Sequence, residues 1–103
     1  MRNPILSPHQ AELEAFCKRY HVRRLEVLGS AVREDFDPQH SDLDLLVEID
    51  PESSNSYFDD YFGLREGLEA LLGRPIDLLS IESLENPYFI QRIAKEREIL
   101  YAA

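Results

Sequence analysis

At 103 residues the chain has the length of one domain with a single core, and a net charge of −9 from 11 basic and 20 acidic residues. That charge repels a phosphate backbone, so direct nucleic-acid binding is not expected; a basic protein or a metal-chelated nucleotide suits the surface better. The single cysteine, Cys17, excludes an intramolecular disulfide and a cysteine-built zinc site, and with no membrane-length apolar run and no signal-peptide core in MRNPILSPHQ a soluble cytoplasmic protein is expected.

Ser7-Pro8-His9-Gln10 has the form of a helix start, with a capping serine, a proline in the first turn and a glutamine to complete a capping box. Leu13, Phe16, Cys17 and Tyr20 then recur at helical spacing and predict a helix over about 8–20, with Cys17 as a core thiol. Lys18, Arg19, Arg23 and Arg24 form the one local basic cluster, read as a solvated helix end.

Leu25, Val27 and Gly29 mark a first strand, and Leu43, Leu45, Val47 and Ile49 give a second its buried face. The eleven residues Ala31 to Ser41 between them are too few for a parallel crossover, so the two strands are expected to pair antiparallel. Ala31 to Glu34 suits a turn of helix and Asp37-Pro38 a tight turn. A polar loop at 52–56 leads into a helix over about 57–72, with Phe58, Tyr61, Leu64, Leu68, Leu71 and Leu72 inward and Gly73 as its C-cap. Pro75 to Ser80 is a third strand, which a right-handed crossover would lay parallel to the second. Asn86-Pro87 starts a last helix, and Ile99-Leu100-Tyr101 either closes the sheet as a short strand or extends that helix.

The period of two puts Asp42 and Asp44 on the face opposite the core residues of the second strand. If Ile76 and Leu78 face the core, Asp77 joins them from the neighbouring strand. Three carboxylates on one sheet face need positive charge, and Mg²⁺ is the natural candidate. Two such ions about 3.5–4 Å apart can clamp the attacking and leaving oxygens of a displacement at phosphorus. Gly29 would let phosphates approach the backbone, and Ser30 adds a hydroxyl and an amide donor. Rival motifs fail: the chain has no Gly-x-x-x-x-Gly-Lys loop, no Gly-x-Gly-x-x-Gly, no His-Glu-x-x-His and no EF-hand loop. His9, His21 and His40 lack ligand spacing. Tyr57, Phe58, Tyr61 and Phe62 read as a packed helix face, with their surplus apolar area a second option as a partner surface.

The arrangement GSAVRED, SDLDLLVEI and PIDLLS, with the later Asn86-Pro87-Tyr88-Phe89 and the Ile99-Leu100-Tyr101 ending, resembles the minimal nucleotidyltransferases of the DNA polymerase β superfamily over nearly the whole chain. The resemblance implies an α+β fold, a small mixed sheet backed by helices, and Mg²⁺-dependent transfer of AMP from ATP to a hydroxyl. Many members are antitoxins paired with a HEPN-domain toxin, where the acceptor is a toxin tyrosine, so a HEPN partner is implied; a shallow carboxylate face in a domain this small needs another surface to complete its pocket, so a homo- or hetero-oligomer is expected. By position, Gly29, Ser30 and Arg33 would bind the triphosphate, and Asp42, Asp44 and Asp77 would be the catalytic and metal-holding carboxylates for two Mg²⁺ ions. Two departures stand out. The gap from Gly-Ser to Asp42 is eleven residues where ten is usual, and Glu34 occupies a common glycine position. Three alternatives remain open at this point: a binding module whose site is vestigial, a subunit acting on a small hydroxyl compound, and a regulatory nucleotide sensor.

Overall fold

The computed structural model describes residues 6–28, 43–53, 56–80 and 97–103. The expected turns at 31–38 and the helix from Asn86 lie outside these residues. Among the described residues, two helices pack on one face of a four-stranded sheet of order β3-β2-β1-β4. The strands are β1 (Val22–Leu28), β2 (Asp44–Ile49), β3 (Asp77–Ser80) and β4 (Arg97–Ala102). The helices are α1 (Gln10–Arg19) and α2 (Tyr57–Leu72).

The expected strand directions hold. β1 and β2 are antiparallel, and β2 and β3 are parallel. The crossover between β2 and β3 carries α2, whose ends are set by its sequence. Ser56 accepts a hydrogen bond from the Asp59 amide at 3.1 Å, and Gly73 closes the helix in the left-handed conformation with φ of 66°. The Ile99-Leu100-Tyr101 segment takes the strand option, pairing antiparallel to β1 with a bulge that leaves Leu100 in the core.

Three local expectations are corrected. Ser7 makes no capping bond: Ser7–His9 is a short 3₁₀ turn, and α1 starts only at Gln10. The Gln10 amide reaches Glu14 and the Leu100 carbonyl (3.2 Å) instead, so it ties α1 to β4 and is not available for a capping box. β1 begins earlier than its marker residues suggest, because His21 adopts a left-handed φ of 60° and turns the chain directly out of α1. That conformation is unfavourable for a residue with a Cβ. It is offset by the Asp50 amide bonding to the His21 carbonyl (2.9 Å) and by His21 Nδ1 meeting the buried Asp60 carboxylate at 3.1 Å. Phe58 does not face inward; it is 66% exposed, and the buried residues of α2 are Asp60, Leu64 and Leu68.

The core gathers Leu13 and Cys17 of α1, Leu64 and Leu68 of α2, and Leu25, Val27, Leu45, Val47 and Leu78 of the sheet. The helices approach closely because α2 carries glycines at 63 and 67, under the rings of Tyr20 and Phe16. A Cβ at Gly63 would overlap the Tyr20 ring, and one at Gly67 would lie 2.8 Å from Phe16. Gly63→Ala therefore loses more from overpacking than the ~1 kcal/mol of helix propensity it recovers. A net loss of about 1 kcal/mol is expected, read as a fall in Tm of about 4–8 °C.

Cys17 is a fully buried free thiol, and burial, with a smaller contribution from Glu14, pushes its pKa from 9.0 up to about 12. The native protein should react with a thiol reagent at pH 8 only at the rate of unfolding. The unfolded thiol ionises first, so Cys17 subtracts stability as pH rises from 9 toward 12. Urea midpoints should fall across that window, and less steeply in Cys17→Ala.

Candidate functional site

One row of the sheet crosses all four strands. Leu28 pairs with Asp44 and with Arg97, and Asp44 pairs with Asp77. Paired residues share a face, so the Asp44 and Asp77 side chains leave the sheet on the same side. The flanking residues confirm the parity: Leu43, Leu45, Ile76 and Leu78 are buried in the core on the other side. Adjacent strands lie about 4.8 Å apart, close enough for two carboxylates to reach one cation.

The start of β3 is held twice. The Asp77 amide donates to the Leu43 carbonyl (3.1 Å), and the Ile76 amide donates to Glu69 Oε2 (3.0 Å) on α2. Register at Asp77 is thus set by sheet and helix together. Asp77 is exposed and Asp44 half-buried, beside a groove of 270 Å³ that they line with Leu43, Pro75, Ile76 and Arg65. Arg65 lies on α2, its Nε 3.8 Å from Glu69 Oε1.

Of the residues singled out in the sequence, Asp44 and Asp77 are brought together. Gly29, Ser30, Arg33 and Asp42 lie outside the described residues, as does His40. Gly29 comes directly after Leu28 of the row, and Asp42 directly precedes Leu43. Among the described residues no three His, Cys, Asp or Glu side chains form a metal cluster. The pair present nevertheless suits a hard divalent cation, since Mg²⁺ commonly takes one or two carboxylates and fills its shell with water and phosphate oxygens.

A third acid of the same face has a different environment. Glu26 is 2% exposed and is gripped by Arg97, whose Nε donates to Oε1 at 3.1 Å and whose Nη2 donates to Oε2, while Arg24 Nη2 lies 3.3 Å from Oε1. The basic cluster is thus engaged with the fold: Arg23 pairs with Asp50 at 3.2 Å, and Arg19 lies 5.5 Å over the Tyr20 ring. Sequence reasoning missed Glu26, Arg65 and Arg97. The signal available for Glu26 was a charged residue inside the apolar run LEVL.

Residues 11–100 match the nucleotidyltransferase domain model. The protein adenylyltransferase MntA of Thermococcus cleftensis is 38% identical over 99 residues, covering 94% of this chain and 88% of that one. A solved structure described as a candidate minimal nucleotidyltransferase superposes with a TM-score of 0.74 at 28% identity, covering 95% of each chain. A Shewanella oneidensis MNT antitoxin, solved with a tri-AMPylated HEPN toxin, shares the fold with a TM-score of 0.60 at 14% identity, over 93% of this chain and 71% of that one. The chain belongs to the nucleotidyltransferase family. It is an enzyme of the minimal type, its mixed sheet and crossover helix forming the fold of that group.

Two carboxylates in register on adjacent strands repel one another when no cation lies between them. Asp77→Asn should therefore raise the Tm of the metal-free protein, a result opposite to that of removing a structural carboxylate such as Glu26.

Proposed function

We propose that the chain transfers AMP from ATP to a hydroxyl of a partner protein, and that the partner is a HEPN-domain toxin neutralised by the modification. The observation that carries this reading is the register pairing of Asp44 with Asp77 at the mouth of a groove. It is supported by a 38% identical relative named a protein adenylyltransferase and by the fold shared with an antitoxin solved beside its AMPylated toxin.

In this reading the acceptor oxygen attacks the α-phosphorus of ATP. A new P–O bond forms, the bond between the α-phosphorus and the bridging oxygen breaks, and pyrophosphate leaves. Asp77, exposed at the start of β3, receives the hydroxyl proton or orients the group that does. Asp42, Asp44 and Asp77 would hold two Mg²⁺ ions, which would neutralise charge on the phosphate oxygens. Gly29 and Ser30, continuing from Leu28 of the same row, would receive the triphosphate, with Arg33 beside it. ATP as donor makes the cytoplasm the compartment, and a hetero-oligomer with the acceptor is the assembly.

The test is label transfer from α-labelled ATP to a purified HEPN-domain protein with Mg²⁺. Asp44→Asn and Asp77→Asn should each reduce transfer by roughly 10²–10⁴-fold. Full activity in the double variant would refute the mechanism. The reading with a vestigial site separates in a second measurement: Mg-ATP at 100 times its Kd should stabilise the wild-type fold by about 2.7 kcal/mol, and a vestigial site should show no shift.

A further inference from the structure

We infer that the flank formed by α2 and β3 is the surface on which the acceptor protein docks, seating an apolar side chain between Phe58, Tyr61, Phe62 and Leu79. The inference rests on the group-transfer reading and adds to it the side from which the acceptor enters and the chemistry that holds it.

Three large aromatics on the first turns of α2 face solvent: Tyr57 at 42%, Phe58 at 66% and Phe62 at 37% exposure. They are organised. The Phe58 and Phe62 centroids are 4.5 Å apart, and Phe62 meets Tyr61 edge-on at 5.0 Å. Tyr61 is spent on the fold, since its hydroxyl donates to the Leu78 carbonyl and anchors α2 to β3. Among the described residues Phe58 and Phe62 make no comparable anchor to the sheet; the inner side of α2 is already filled by Leu64 and Leu68. Together with Leu78, Leu79 and Ser80 the rings border a groove of 410 Å³. Rigid, half-exposed aromatics around a preformed apolar groove are what interface anchors are built from.

Strand order assigns the occupant. Asp44 is flanked in its row by Leu28, which leads to Gly29-Ser30, and on the other side by Asp77. With the triphosphate tail over the β1 side, an in-line displacement brings the acceptor from the β3 side. β3 runs from Asp77 at the catalytic end to Ser80 at the groove, about 10 Å at 3.3 Å per residue. A protein seated in the groove thus reaches Asp77 along a single strand, a span that a small hydroxyl compound has no use for. Exposed Asp59 and Glu66 neighbour the rings on α2, in a chain of net charge −9. The matching segment carries an aliphatic or aromatic anchor flanked by Lys or Arg, about 10 Å from the modified hydroxyl.

The experiment uses the double variant Phe58→Ala/Phe62→Ala with a HEPN-domain protein as probe. Titrating the fluorescently labelled probe should show at least tenfold weaker binding to the variant, with Tm and affinity for Mg-ATP unchanged. In the transfer assay the KM for the protein acceptor should rise by a similar factor, while slow hydrolysis of ATP to AMP stays at the wild-type rate. Equal affinity of wild type and variant for the probe, or no binding by either, overturns the inference; so does a self-association that depends on Phe58 and Phe62 while acceptor KM is unchanged. Failure of the group-transfer reading looks different: the probe binds in a Phe58- and Phe62-dependent way, yet no label is transferred.

Discussion

The parallel pairing of β2 with β3 is the constraint on which the rest of the structure depends. Parallel neighbours cannot be joined by a hairpin, so the chain must leave the sheet, cross over and return. The crossover consists of α2, and α2 is fastened at several points to β3 and to the core. Tyr61 bonds the Leu78 carbonyl, Glu69 bonds the Ile76 amide, and Leu64 and Leu68 pack inward. A slip of one residue in β3 would break both bonds and turn Asp77 toward the apolar side. The register that sets Asp44 beside Asp77 is therefore enforced by the helix as much as by the ladder.

Acids on the sheet face that carries Asp44 fall into two kinds, distinguished by their company. Glu26 is buried, and its carboxylate is met by two guanidinium groups, one of them in a two-point grip. Such a group is satisfied and holds β4 to β1; it has no capacity left for a cation. Asp77 is open to solvent beside Asp44 in a groove whose described cation, Arg65, is directed along α2 toward Glu69. Composition alone counts Glu26, Asp44 and Asp77 alike. Their neighbours separate the structural carboxylate from the pair that the proposed function assigns to the metal.

What could be read in the sequence was whatever is decided by nearest neighbours. α2 has a serine before it and a glycine after it, and its ends fall at 57 and 72 as expected. The parity of Asp77 comes from Ile76 and Leu78 on either side, and the strand directions come from connection length. What could not be read depends on partners far along the chain. The Gln10 amide bonds the Leu100 carbonyl 90 residues away, and Arg97 meets Glu26 across 71 residues. Neither choice has a local signature. Phe58 departs from expectation for a related reason: periodicity identifies a helix with an apolar stripe, but the stripe is wider than the sheet can cover. Gly63 and Gly67 look like weak points in a helix, and their use becomes visible only with Tyr20 and Phe16 lying against them.

The same surplus explains how a domain this small can sustain a site of like charges. Two opposed carboxylates weaken the free fold, and a chain of 103 residues has little core with which to absorb the loss. Ligands that bind only the folded state return stability in proportion to their affinity. On the proposed reading a cation with its nucleotide would relieve the repulsion at Asp44 and Asp77, and a partner on the aromatic end of α2 would remove exposed rings from water. The two sources of stability lie at opposite ends of one short strand. On the proposed reading, strengthening of β3 by either ligand would favour the register that the other requires, which would couple nucleotide and partner through the β2–β3 pairing as well as through their meeting at the site.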